Sequence, residues 1–94
     1  MTDLFSVQVT IYGRVQGVYF RAFASNHARE LGLTGHVRNL LDDKAVEIQA
    51  EGDRNKLERL ISHFRVGPPG SRIDKIETNW SEYTGNYPDF QIRY

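Results

Sequence analysis

An α+β sandwich with the element order βαββαβ is the fold this chain of 94 residues predicts, and three patterns predict it. Short stretches alternate apolar with polar residues, two longer stretches carry their apolar residues at helical spacing, and glycines and prolines punctuate the joins. A chain of this size makes one domain, residues 1–94, that buries about 60–65% of its unfolded surface.

Residues 5–12 place Val7, Val9 and Ile11 on one side and Gln8, Thr10 and Tyr12 on the other, the period of a strand buried on one face. From Phe20 the apolar positions become Phe20, Phe23, Ala24, His27, Ala28 and Leu31, a helical stripe that Gly32 ends. Residues 34–40 and 45–50 predict a hairpin, with Val46, Ile48 and Ala50 alternating against Glu47 and Gln49 around the polar turn at Asp42, Asp43 and Lys44. Gly52-Asp53 supplies an N-cap for a second helix whose stripe is Leu57, Leu60, Ile61 and Phe64, and Gly67-Pro68-Pro69-Gly70 stops it. Residues 72–80 form a further strand, but Ile73 and Ile76 are out of phase, which requires a bulge or a change of face between them. A loop over 83–88 leads to a short terminal strand in which Phe90, Ile92 and Tyr94 alternate with Gln91 and Arg93. Two βαβ units with right-handed crossovers put both helices on one face of a four-stranded antiparallel sheet, the ferredoxin-like arrangement, with the last strand as an addition. That architecture serves enzymes, sensors, carriers and RNA readers alike, so function has to be read from a site.

Twelve Lys and Arg balance twelve Asp and Glu, which leaves no field of one sign to attract nucleic acid or an anionic membrane. The chain has no cysteine, excluding disulfides, thiolate nucleophiles and cysteine metal sites. Its first residues lack a basic stretch followed by an apolar one, and no apolar run is long enough to span a membrane, so a soluble cytoplasmic protein is expected.

The chemistry concentrates between Gly13 and Arg21, in Gly-Arg-Val-Gln-Gly-Val-Tyr-Phe-Arg. A glycine-bearing connection that opens a helix turns backbone N–H groups toward one point, and the helix dipole favours an anion there. Arg21 adds a planar, permanently charged fork.

This segment, with Gly35-x-Val37-x-Asn39 after it, resembles the two signature motifs of the acylphosphatase family, and the later Gly67-Pro68-Pro69-Gly70 and Phe90-Gln91-Ile92-Arg93-Tyr94 are similar to the family's closing segments. The resemblance implies hydrolysis of the carboxyl-phosphate bond of acyl phosphates without a metal or other cofactor. It implies that Arg21 and the amides of Gln16, Gly17, Val18, Tyr19, Phe20 and Arg21 hold the phosphate, Gly17 permitting the backbone angles this needs. It implies too that Asn39 orients the attacking water, held near the cradle because the hairpin strand runs beside the first strand. At Tyr19 the motif is indifferent to the side chain. The partners implied are a small-molecule acyl phosphate and inorganic phosphate, bound by a monomer, with no nucleic acid or membrane. Two departures stand out: the turn after Asn39, Leu-Leu-Asp-Asp-Lys-Ala, lacks the family's usual glycine and is one residue longer, and His36 replaces a large aromatic.

Other polar residues read as structural. His27 lies on an apolar helix stripe and reads as a core histidine; His36 and His63 lack metal-ligand spacing and read as structural or surface positions; Asp42 and Asp43 read as a solvated turn. Asn79-Trp80-Ser81 is a chance match to a glycosylation acceptor, and Trp80, Tyr83 and Tyr87 read as packing or loop residues. Two rivals remain at this stage: a non-catalytic anion-binding module of the same fold, and an RNA-recognition domain, the latter disfavoured by neutral charge.

Overall fold

The computed structural model describes residues 3–15, 19–40 and 44–93. Its elements are β1 (Leu4–Arg14), α1 (Phe20–Glu30), β2 (Thr34–Asn39), β3 (Ala45–Asp53), α2 (Arg54–Val66), β4 (Arg72–Glu82) and β5 (Phe90–Arg93). The sheet order is β4-β1-β3-β2-β5. Four strands are antiparallel as expected, but β5 pairs parallel to β2 from Gly35 with Phe90 to Arg38 with Arg93, so the sheet is five-stranded and mixed.

The alternation read from the sequence decides which face is covered. Val7, Val9 and Ile11 of β1, Val37 of β2 and Val46, Ile48 and Ala50 of β3 are fully buried in one core with Ala24 and Ala28 of α1 and Leu57, Leu60 and Phe64 of α2. Both helices therefore cover the same face. Asp53 caps α2 by accepting from the Lys56 N–H at 3.2 Å, and Gly67 ends it at φ 71° while donating to the His63 carbonyl.

The phase break in β4 is a bulge. Tyr12 pairs with Lys75 and Gly13 with Ile73, which leaves Asp74 as the extra residue and lets Ile73 and Ile76, three apart, both pack against the core. Gly13 sits in this pairing rather than in the loop that follows β1, with φ 135°, and a Cβ there would collide with the Arg72 carbonyl oxygen. The first glycine of the motif thus serves the close approach of β4.

The segment from 83 to 89 carries the chain from one edge of the sheet to the other across the face without helices. Glu51, 1% exposed on that face, holds it by accepting from the Thr84 N–H (3.1 Å), the Thr84 hydroxyl (2.7 Å) and the Gly85 N–H (3.0 Å). Tyr87 then packs its ring near His36, and Gly35 donates to the Asp89 carbonyl at 2.9 Å. Replacing Glu51 with Ala is expected to lower unfolding free energy by about 2–4 kcal/mol, because three bonds to one buried carboxylate are lost together. Urea denaturation checks the magnitude, and faster proteolysis within 83–89 checks the location.

Candidate functional site

β1 and β2 both run antiparallel to β3, so they end on the same side of the sheet, and β5, parallel to β2, ends there too. Because α1 follows β1 directly, its N-terminus lies at that end as well. β3 separates β1 from β2, which corrects the expected reason for Asn39's position: it reaches this end because parallel strands finish together, not because β2 neighbours β1. Asn39 is the last residue of β2, pairs with Val46, is half-buried, and shares the parity of Val37, which faces the helices.

α1 begins without a side-chain cap and without an acidic residue in its first turn. Phe23 donates to the Tyr19 carbonyl at 3.0 Å, so the amides of Phe20, Arg21 and Ala22 precede the first intrahelical bond. Arg21, half-buried, is the second residue of the helix, where the dipole opposes a cation unless an anion compensates. Phe20 is 1% exposed and packs against Phe23 and Phe64, which ties the start of α1 to α2. Its ring belongs to the core, which leaves the amide as the group it can present at the helix start.

Of the residues expected to bind phosphate, Gln16, Gly17 and Val18 lie outside the described residues, as do residues 41–43 of the turn beyond Asn39, including Asp42 and Asp43. The ends of that turn are joined by the Leu40 N–H donating to the Ala45 carbonyl at 3.0 Å. Tyr19, Phe20, Arg21 and Asn39 are described, and the topology gathers them at one end of the sheet.

Two features escaped the sequence reading. Tyr19 has φ 59°, the only positive value at a non-glycine residue among those described, and with Arg21, Ala22 and Ile92 it lines a cleft of about 270 Å³. A larger cleft of about 550 Å³ opens beside the end of β1, where Arg14, Lys44 and Arg72 stand near Tyr12; Arg72 is paired with Asp74 at 2.9 Å. Neither Arg21 nor Asn39 lines that larger cleft.

The histidines also differ from expectation. His27 is half-buried rather than in the core, its ring stacked on His63 of α2 at 3.9 Å between centroids, with Phe23 edge-on at 4.5 Å. Burial lowers its pKa from the ordinary 6.5, the neighbouring His63 lowers it further, and Glu30 opposes both. His36 is 8% exposed, and its pKa is lowered by burial and by Arg93, with Glu47 opposing and Arg38 adding to the depression. Groups held below their unfolded value bind fewer protons in the folded state, so they cost nothing while neutral above about pH 6.5 and destabilise as pH falls past that value toward the folded pKa. Unfolding midpoints in urea are therefore expected to drop between pH 7 and pH 5, and the drop should shrink in a His27→Gln, His36→Gln double variant.

The family model described as Acylphosphatase matches residues 7–92. An acylphosphatase from Dehalococcoides mccartyi is 41% identical over 88 residues, covering 94% of this chain and 97% of the relative. The crystal structure of acylphosphatase from Bacillus subtilis superposes with a TM-score of 0.91 at 34% identity, covering 96% of this chain and 99% of that one. Full-length HypF in its phosphate- and nucleotide-bound form gives a TM-score of 0.90 at 33% identity, all of this chain matching 12% of that larger protein. A nearly full-length match in sequence, a shared mixed sheet and both signature motifs lead to one conclusion: the chain belongs to the acylphosphatase family.

Proposed function

We propose that this member of the acylphosphatase family hydrolyses acyl phosphates to a carboxylate and inorganic phosphate, with Arg21 and the amides of residues 16–21 binding the phosphate and Asn39 orienting the water. Water attacks phosphorus, the bond from phosphorus to the bridging oxygen breaks, and that oxygen leaves with the acyl group as a carboxylate. The water's proton passes to a phosphate oxygen. A carboxylate is a good leaving group, so positioning and charge stabilisation carry the rate, and no strong general base or metal is needed.

The observation that carries this reading is the convergence of an uncapped helix N-terminus free of acids, a cation in that first turn, and a carboxamide at the end of β2, all on one side of the sheet. A charge-assisted hydrogen bond contributes about 1.5–3 kcal/mol net, and two that strengthen in the transition state account for two to four decades of rate. No helix among the described residues is long and apolar enough to cross a membrane. We read the protein as one domain acting as a cytoplasmic monomer on a small molecule. Hydrolysis of benzoyl phosphate with a chelator present tests the chemistry: the expected result is full activity, and activity that requires added metal would overturn the mechanism.

A further inference from the structure

We propose that Tyr19 is a specificity-determining residue, whose ring forms one wall of the site for the acyl group and favours acyl phosphates with a flat, apolar acyl portion. This rests on the acylphosphatase reading and names the substrate class it implies. The choice of tyrosine at this position calls for a cause. A glycine adopts φ 59° without strain, so the backbone conformation does not explain it. Packing does not explain it either, because Tyr19 is 85% exposed. Phosphate binding uses its amide, which any residue supplies.

What remains is that Tyr19 lines the cleft that Arg21 also lines, with a largely exposed side chain free to face an occupant. With the phosphate held at Arg21, the acyl carbon is one bridging oxygen away from phosphorus, so the acyl substituent falls among the residues that surround that guanidinium. Among the described residues those are Tyr19, Ala22 and the half-buried Ile92 of β5, and Arg21 is the one charged residue of that set. At about 270 Å³ the cleft suits a small group, since sites for larger organic ligands start near 300 Å³. An aromatic acyl group laid between Tyr19 and Ile92 loses apolar surface to both, whereas a carboxylate tail meets, among the described lining residues, no cation beyond the one already holding phosphate. Because the contact is made in ground and transition states alike, it acts through KM.

The test compares kcat/KM for benzoyl phosphate and acetyl phosphate in wild type, Tyr19→Gly, Tyr19→Ala and Tyr19→Phe. Acetyl phosphate is the internal reference, so a general effect on the loop cancels in the ratio. Loss of the ring is expected to lower the benzoyl-to-acetyl ratio about three- to tenfold in the Gly and Ala variants, mainly through KM, and Phe should retain it. The preference for benzylphosphonate over methylphosphonate as inhibitor should fall by a similar factor, which reads binding without turnover. If both ratios stay within about twofold of wild type in Gly and Ala variants that still hydrolyse acetyl phosphate, the acyl-wall assignment is wrong and the activity stands. If wild type hydrolyses neither substrate, the activity reading fails and the assignment goes with it.

Discussion

Arg21→Gln is expected to lower kcat/KM for any acyl phosphate by about 10³-fold or more, and to abolish inhibition by inorganic phosphate over the range in which wild type is inhibited. Glutamine keeps the stem as far as Cδ and some hydrogen-bonding capacity but removes the charge, the reach and the two-pronged donor geometry. The same substitution should not destabilise the fold. A cation in the first turn opposes the helix dipole, at a cost of about 0.3–1 kcal/mol when no anion is bound, which offsets what its other contacts contribute, so a urea midpoint close to wild type is expected. Loss of activity together with retained stability separates a ligand-binding role from a structural one. Arg21→Lys should fall between the two, because a point charge replaces the fork. Kinetics with phosphate as competitor, run beside urea denaturation on the same preparations, decide the matter.

The sequence revealed those parts of the molecule that depend on near neighbours. The period-2 alternation of Val7, Val9 and Ile11 and the stripes ending in Leu31 and Phe64 are local consequences of burying one face, and each became the element expected. Even the bulge at Asp74 was legible, since Ile73 and Ile76 cannot share a face without it. What could not be read depends on pairings between distant segments. The parallel pairing of β5 with β2 joins residues more than fifty positions apart, and nothing in Phe90-Gln91-Ile92 states which edge it joins. Glu51 lies just past the alternating stretch 45–50, where no local pattern marks it, and only the path of 83–89 over that face makes it a buried clamp. His27 failed for a related reason: its place on the stripe was right, but the stripe meets α2 at His63, so the ring stacks at the margin of the core instead of entering it.

The motifs were legible as a set but not in their division of labour. Gly13 serves the close pairing with β4, Phe20 anchors the helix start against Phe64, and Tyr19, at a position where the pattern is indifferent, has the one unusual backbone angle among the described non-glycine residues. A short pattern mixes residues that shape the backbone with residues that touch a ligand, and only burial tells them apart. Arg21 and Asn39, both half-buried and both at the end of the sheet where α1 begins, are polar side chains with no core to fill there.

Asn39→Ala is the sharper test of the chemistry, because it should divide turnover from binding. A carboxamide that aims the water at phosphorus acts on the reacting geometry while the phosphate is held by Arg21 and the loop amides. Its removal is therefore expected to lower kcat by about 10²–10³-fold, the usual cost of one positioned polar donor in a transition state. KM for the acyl phosphate and the inhibition constant of inorganic phosphate should move by less than about threefold. Asn39→Asp supplies the contrast. It keeps the shape of the side chain, but a carboxylate near the phosphate repels it, so both kcat and phosphate affinity should fall, the latter less steeply at high salt. A non-catalytic anion-binding module would share the unchanged affinity of the alanine variant but would show no turnover in wild type for the substitution to remove. A structural role for Asn39 at the end of β2 would lower the urea midpoint and affect binding and turnover together. Steady-state kinetics and phosphate inhibition of the two variants therefore distinguish orientation of a water from anion capture and from support of the strand end.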